Sequence, residues 1–383
     1  MTRLLVSCGE PSGDLYAAEL VRQLRRSLPH LDVFGLGGER LKEQGVDLRA
    51  DVRELAVVGL LEVVSHLRRL RGVFRDLLAD VDRRPPVGAV LVDYAEFNLR
   101  LAAALHRRGI PVVYYVSPQV WAWRRGRLRE IRRTVSRMLV IFPFEEALYH
   151  EAGVPVRFVG HPLVDLVAPA PNRAAFLAEH GLDPGRPVLA VLPGSRTKEI
   201  AQNLPPLVEA LRRVRAERPE VQFLLAVAPS INPGPLRAAL GDVPVRLLSG
   251  ATHAVLGACT AAVVASGTAT VEAALLGAPM VVVYRLSPLT YHLGRHLVKV
   301  PHYAMANLIA GRRLVPELIQ SNFTPGQVAR EALGLLEDAE GRRRMQEGLA
   351  EVRRRLGGPG ASARAAEEVR RALENGFLTD ENP

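Results

Sequence analysis

One rhythm runs through this chain of 383 residues. A short apolar run is followed by a turn of small residues, an amphipathic helix, and another apolar run. That alternation dictates parallel sheets, because each helix carries the chain back across the sheet before the next strand starts alongside. The clearest instance is ASGTATVEAALLGAPMVVVYR, Ala265 to Arg285. Ala261 to Ala265 reads as a strand, and Ser266, Gly267 and Thr268 as a turn. Thr270 to Leu276 reads as a helix stopped by Gly277 and Pro279, and Met280 to Tyr284 as the next buried strand. Small residues feeding a helix N-terminus aim free N–H groups and the positive end of the helix dipole at one spot, which suits a phosphate. Glu272, expected in the first turn of that helix, reads either as an acceptor for ribose hydroxyls or as an ordinary acid favoured by the dipole.

The same rhythm organises the rest. Leu4 to Cys8 is a strand, GEPSGD (Gly9 to Asp14) a loop, and Leu15 to Leu28 an amphipathic helix. The loop lies at the carboxyl end of a strand, where open α/β sheets bind ligands. It is neither a dinucleotide fingerprint nor a P-loop. Asp32 to Leu36 is the second strand. Val87 to Val92 is a strand ending at Asp93, with a helix from near Asn98. Asp93 therefore reads as a strand-end catalytic carboxylate or as a cap for the next helix. Strands at Pro111 to Val116, Val135 to Phe142 and Val156 to Val159 follow, and both tryptophans fall between the first two. After GHPLVD the proline-rich segment Ala168 to Pro171 marks a boundary. Pro187 to Ile200 restarts the pattern as strand, turn and helix, with further strands at Gln222 to Ala228 and Val243 to Leu248. The expectation is two doubly wound domains facing a cleft, residues 1–165 and 166–356, with a helical tail at 357–383. A last helix, Ala363 to Asn375, crosses back to the first domain.

Composition narrows the class. With 48% apolar and 23% charged residues the chain is globular. No apolar run is long enough to span a bilayer, and Cys8 and Cys259 sit in apolar runs, which points to the cytoplasm and away from a disulfide framework. The net charge of +10 is almost all arginine, Lys42, Lys198 and Lys299 being the only lysines. Such a surface suits nucleic acid, anionic lipid or phosphorylated substrates equally well. Few aromatics interleave with the arginines, so nucleic acid is not an expected partner. Glu54 to Leu78 is apolar in its first half (Val57, Val58, Leu60, Leu61, Val63, Val64) and carries Arg68, Arg69, Arg71 and Arg75 in its second. It reads as a core helix with a solvated basic end, or as an apolar patch dipping into a membrane beside arginines that meet lipid phosphates.

Two groups stand out for chemistry. LPGSR, Leu192 to Arg196, ends a strand of the second domain, and Arg196 there reads as a diphosphate clamp or as the partner of Glu199. A carboxylate base at Asp93 opposite such a clamp is the layout for inverting sugar transfer. No Asp-x-Asp triplet ends a strand and the histidines lack ligand spacing, so no metal or other cofactor is expected, and His161 reads as a hinge or packing residue.

The motifs GEPSGD, VDYAEFNLRLA, YYVSPQVWAWR, PFEEALY, RFVGHPLVD, LPGSRTKEI, SGTATVEAALLGAPMVVVYR and NLIAGRRLVPELIQ, in that order, resemble the lipid-A-disaccharide synthase family from about Leu4 to Thr324. The resemblance implies a GT-B fold and transfer of diacylglucosamine from its UDP derivative to lipid X, a phosphorylated glycolipid, at the cytoplasmic face of the membrane, without crossing it. It implies Asp93 as catalytic base and Arg196, with Gly194 and Ser195, at the donor diphosphate. Ser266, Gly267, Thr268, Glu272 and Asn307 fall at the nucleotide end, and Glu10, Ser12, Gly13, Asp14, Glu96 and Asn98 line the acceptor cleft. Val57 to Val64 matches the membrane-facing patch, and a homodimer with exchanged C-terminal segments fits the family. Three departures touch cleft loops: Pro11 in GEPSGD, Ala95 and Glu96 beside Asn98 in DYAEFN, and Ala306 in MAN. Two alternatives remain at this point: a GT-B transferase or epimerase for another UDP-sugar, and a nucleotide-fold binding protein without catalysis.

Overall fold

The computed structural model describes residues 2–52, 63–122, 125–285 and 301–374. The chain divides into two compact units: Met1–Asp165 with Leu356–Pro383, and Leu166–Arg355.

In the first unit the order is β1 (Arg3–Cys8), α1 (Pro11–Ser27), β2 (Asp32–Gly37), α2 (Glu39–Glu43), β3 (Asp47–Asp51), α3 (Val63–Arg83), β4 (Gly88–Val92) and α4 (Ala95–His106). β5 (Val112–Tyr115), α5 (Leu128–Thr134), β6 (Arg137–Val140), α6 (Pro143–Glu151), β7 (Val156–Phe158) and α7 (Leu163–Leu166) complete the pattern. The strands form a seven-stranded sheet among the described residues, ordered β3-β2-β1-β4-β5-β6-β7. Every pairing in it is parallel. The order reverses between β1 and β4, which puts the loops after these two strands at the switch point where open sheets bind ligands. Continuous apolar runs are what such a sheet needs, since helices cover both faces. β1 and β4 are accordingly buried at every position.

The second unit runs α8 (Arg173–Glu179), β8 (Val188–Leu192), α9 (Thr197–Glu217), β9 (Gln222–Val227), α10 (Pro233–Leu240), β10 (Val245–Ser249), α11 (Thr252–Ala258), β11 (Ala261–Ala265), α12 (Thr268–Leu275) and β12 (Met280–Tyr284). α13 (Met305–Ala310), β13 (Glu317–Ile319), α14 (Pro325–Glu337) and α15 (Ala339–Arg355) follow. Its sheet has six strands among the described residues, β10-β9-β8-β11-β12-β13, again all parallel, with the switch between β8 and β11.

The chain then returns to the first unit through α16 (Ala361–Glu374), which packs on α1, as expected of a last helix crossing back. Ala361, Ala365 and Val369 give it a small, fully buried face. The two passages of chain are tied together inside the first unit. Leu356 O accepts from His161 N at 2.8 Å, Asp165 Oδ1 accepts from Gly360 N at 2.6 Å, and the Arg364 guanidinium donates to Val159 O at 2.9 Å.

α3 carries the basic half of the stretch from Glu54 to Leu78. Leu77 and Val81 are buried, and Leu70, Val73 and Phe74 pack on the core. Arg68, Arg69, Arg71 and Arg75 are exposed, so this part is an ordinary amphipathic helix with a basic outer face. Val57, Val58, Leu60 and Leu61 lie outside the described residues. Among those described, no helix is long and apolar enough to cross a membrane.

Candidate active site

In the first unit the site is built on the loops after β1 and β4. Asp93 and Tyr94 follow β4 directly and both have positive φ, 49° and 50°. The left-handed region costs a non-glycine residue on the order of 1–3 kcal/mol, and persists only where the surroundings impose it. Here they do. The Asp93 carbonyl accepts from Tyr114 Oη at 2.6 Å and from Asn98 Nδ2 at 2.9 Å. The Tyr94 ring lies over Gly9, where any Cβ would come within 2.0 Å of the ring. That ring stacks on Phe97 at 5.7 Å, and burial together with the nearby Glu10 carboxylate raises its hydroxyl pKa. Val116, after β5, is also left-handed at φ 63°. Strain is thus concentrated at the carboxyl ends of β4 and β5.

The turn also corrects an expectation. The helix after Asp93 starts at Ala95 rather than near Asn98, because two left-handed residues reverse the chain without a longer loop. Asp93 is therefore neither inside the helix nor its N-cap, which is Tyr94. Glu96 falls in the first turn of α4, exposed, with Arg127 Nη2 at 2.5 Å.

Two residues expected to line the acceptor site are occupied inside the protein. Asn98 is wholly buried. Its Oδ1 accepts from Ser7 Oγ at 2.7 Å, and its Nδ2 donates to Ser7 O, Val92 O and Asp93 O. It joins the ends of β1 and β4 and clamps the Asp93 turn. Asp14 is 5% exposed and accepts from the backbone N–H groups of Gly38, Arg40 and Leu41. Its carboxylate caps α2. Glu10 and Ser12 are half-buried at the start of α1, and Gly13 is buried.

Glu145 was not anticipated. FPFEE reads as a helix start with ordinary acids, yet Glu145 is 1% exposed. It accepts from Phe142 N and from Trp121 Nε1, each at 3.2 Å. Burial pushes its pKa to about 8, against the opposing pull of these donors and of Ser117. It therefore anchors the loop after β5 from one side, while Arg127, on the same loop, reaches Glu96 on α4. His161 is a packing residue, buried edge-on to Tyr16 and against Phe142, and burial lowers its pKa to about 3.

In the second unit two strand-to-helix turns, after β8 and β11, sit on neighbouring strands. After β8, Gly194 has φ 132°, and its missing Cβ leaves room for the Glu199 carboxylate, which would otherwise stand 2.5 Å away. Glu199 accepts from Ser195 N at 3.0 Å, so it closes the turn. Arg196 is exposed at the N-cap of α9. Its charge reaches Tyr284 at the end of β12, where it opposes the rise in pKa that burial and Glu199 produce. After β11, Gly267 is the N-cap of α12 at φ 150° with open space where a Cβ would stand, so glycine serves the backbone there. Thr270 Oγ1 donates back to Gly267 O at 2.7 Å. α12 begins at Thr268, two residues earlier than expected, which moves Glu272 into the second turn. Dipole effects fade beyond the first turn, so the reading of Glu272 as an ordinary N-terminal acid loses its ground. Asn307, expected at the nucleotide end, is fully buried. Its Oδ1 accepts from Leu314 N and Val315 N, and its Nδ2 donates to Val315 O and Glu317 Oε1. It fixes the approach to β13.

Residues 4–370 match the lipid-A-disaccharide synthetase family. The lipid-A-disaccharide synthase of Koribacter versatilis is 47% identical over 97% of this chain and 98% of its own. The chain belongs to the lipid-A-disaccharide synthase family. It is accordingly an enzyme, a glycosyltransferase of lipid A biosynthesis. Among solved structures, a Staphylococcus aureus MnaA–UDP complex superposes with a TM-score of 0.67 at 13% identity, covering 100% of this chain and 99% of that one. The calicheamicin glycosyltransferase CalG4 gives 0.60 at 17% identity, covering 98% and 99%. These likenesses concern the fold, which is of the GT-B type. Among the described residues no group of three or more His, Cys, Asp or Glu is placed to hold a metal ion.

Proposed function

We propose that the chain divides the family's reaction between its two units, acceptor chemistry to the first and donor binding to the second. The reaction condenses UDP-2,3-diacylglucosamine with lipid X, forming a β-1,6-linked disaccharide 1-phosphate and releasing UDP. Asp93 takes the proton from the acceptor hydroxyl as its oxygen attacks the anomeric carbon. The UDP oxygen departs from the opposite face, so the configuration inverts. In the second unit the N-terminus of α12 and the Arg196 guanidinium stabilise the diphosphate as its charge grows, and Glu272 accepts from the ribose hydroxyls. Full-length membership of the family supports the reaction. The observation that carries the assignment of the base is the Asp93 turn: left-handed, strained and clamped by Asn98 and Tyr114 at the switch point of its sheet. A strand-end aspartate that served only to cap a helix would not need that geometry.

The protein works at an anionic membrane surface on the cytoplasmic side. The exposed arginines Arg68, Arg69, Arg71 and Arg75 of α3 support this reading, since each lends on the order of 1 kcal/mol near such a surface.

The test is purified protein with UDP-2,3-diacylglucosamine and lipid X in detergent, with and without EDTA, read by mass spectrometry. Equal amounts of disaccharide 1-phosphate and UDP in both arms are expected. UDP without disaccharide would reject the acceptor, and loss of turnover in EDTA would reject metal-independent transfer.

A further inference from the structure

Glu272 does not stand alone on α12. His253, on α11, brings Nε2 to 3.3 Å from Glu272 Oε1. On its other side, His253 Nδ1 accepts from the backbone N–H of Ala168 at 3.2 Å. A backbone amide can only donate, so Nδ1 carries no proton, and the neutral ring keeps its proton on Nε2. The contact to Glu272 is then Nε2–H donating to carboxylate, with Oε2 left for another donor. The two side chains are 27% and 19% exposed, enclosed enough to be oriented and open enough to meet a ligand.

A second contact ties the same helix to the same segment. Gly257 lies one turn after His253 on α11, so the two share a face. A Cβ on Gly257 would come 2.8 Å from Ala170 Cβ and 2.9 Å from Pro171 Cδ. Residues 168–171 therefore lie closely along the face of α11 that carries His253. They are also the first stretch of the second unit after the boundary at Asp165 and Leu166.

We infer that His253 is a positioning residue for the donor: it holds Glu272 for the ribose hydroxyls, and the segment 168–171 sets its tautomer and place. Donor affinity and the position of the segment entering the second unit are coupled through this chain of contacts. The inference rests on the reading of Glu272 as the ribose ligand. It assigns His253 no contact with substrate, and it identifies Gly257 as the residue that lets the segment lie close.

The test is calorimetric binding of UDP and of 2′,3′-dideoxyuridine diphosphate to the parent, E272Q, H253A, H253Q and G257A. The parent should prefer UDP about tenfold, as one lost charge-assisted hydrogen bond implies, and E272Q should erase that preference. H253A should weaken UDP about fivefold to tenfold and the dideoxy ligand less than twofold. H253Q, whose amide can still donate to Glu272, should recover most of the preference. G257A, remote from the ribose, should reduce the preference in the same sense, and in turnover H253A should raise the donor KM with kcat little changed. Equal weakening of both ligands by H253A and G257A, the mark of a merely structural role, overturns the proposal, as does no change in either. If E272Q erases the preference and H253A does not, the proposal alone falls. If E272Q keeps it, the ribose reading of Glu272 falls and the proposal with it.

Discussion

Replacing Asn98 by alanine tests how the candidate base is held. Asn98 is wholly buried, and its amide meets the Ser7 hydroxyl and the carbonyls of Ser7, Val92 and Asp93. In Asn98→Ala the Ser7 hydroxyl and at least one carbonyl lose their partner inside the protein. A buried polar group left unsatisfied costs about 1–3 kcal/mol, so two of them predict about 2–6 kcal/mol of lost stability. The Asp93 carbonyl loses Asn98 and keeps Tyr114. Against the weakened clamp stand two left-handed residues, each strained by on the order of 1–3 kcal/mol. The turn should relax and carry the Asp93 carboxylate with it. A displacement of about 1 Å costs on the order of 100-fold in rate. Urea unfolding with steady-state kinetics reads both numbers. The expected result is a folded but weakened protein with kcat down about 100-fold and UDP affinity unchanged, because the proposed division of the reaction gives UDP binding to the second unit. A variant destabilised as predicted but keeping kcat within about threefold would refute the clamp, and unchanged stability would refute the buried amide network.

Other outcomes follow from the same geometry. Gly9→Ala should lower kcat strongly, since its Cβ would fall within 2.0–2.4 Å of the Tyr94 ring; turnover at saturating substrate checks this. Glu145 holds its proton in the folded state up to about pH 8, whereas the unfolded chain releases it near 4.5. Stability should therefore fall as pH rises between those values, by about 1.4 kcal/mol per unit at most, and Glu145→Gln should flatten that slope in denaturant titrations. His161 acts with the opposite sign, because its folded pKa of about 3 lies below the unfolded 6.5. Its contribution erodes as pH falls through that window, and His161→Phe should lessen acid sensitivity in the same titrations. Arg196→Ala should weaken UDP about tenfold or more and uridine little, by calorimetry, if the guanidinium serves the diphosphate.

Much of this architecture is legible in the sequence, for a physical reason. Central strands of a parallel sheet are buried on both faces, so runs such as LLVSC and AAVVA announce themselves, and the small-residue turns at Gly9 and Ser266 follow from the chain's need to reverse at the strand ends. Two of the four edge strands do not. β3, DLRAD, is only partly buried and polar, and β13 spans Glu317–Ile319 alone, so neither carries an apolar run. The motifs around Asp14, Asn98 and Asn307 can be seen, but not the direction in which their side chains point. All three spend most of their hydrogen bonds on backbone groups that the fold would otherwise leave unsatisfied. The left-handed turn at Asp93 and Tyr94 carries no glycine to signal it. The pairing of His253 with Glu272 joins separate elements across a loop, a contact that local pattern cannot contain. Glu145 looks like any acid in a first helical turn until the neighbouring aromatics enclose it.

In the proposed mechanism Asp93 is the base and the donor is bound independently of it. The most direct measurement is kcat for disaccharide formation by Asp93→Asn and Glu96→Gln, with the UDP dissociation constant measured on the same preparations. A loss of 100-fold to 10,000-fold is expected for Asp93→Asn, a far smaller one for the exposed, arginine-paired Glu96, and UDP affinity close to the parent's in both. A large loss in Glu96→Gln with Asp93→Asn near parental activity would contradict it and move the base to the first turn of α4.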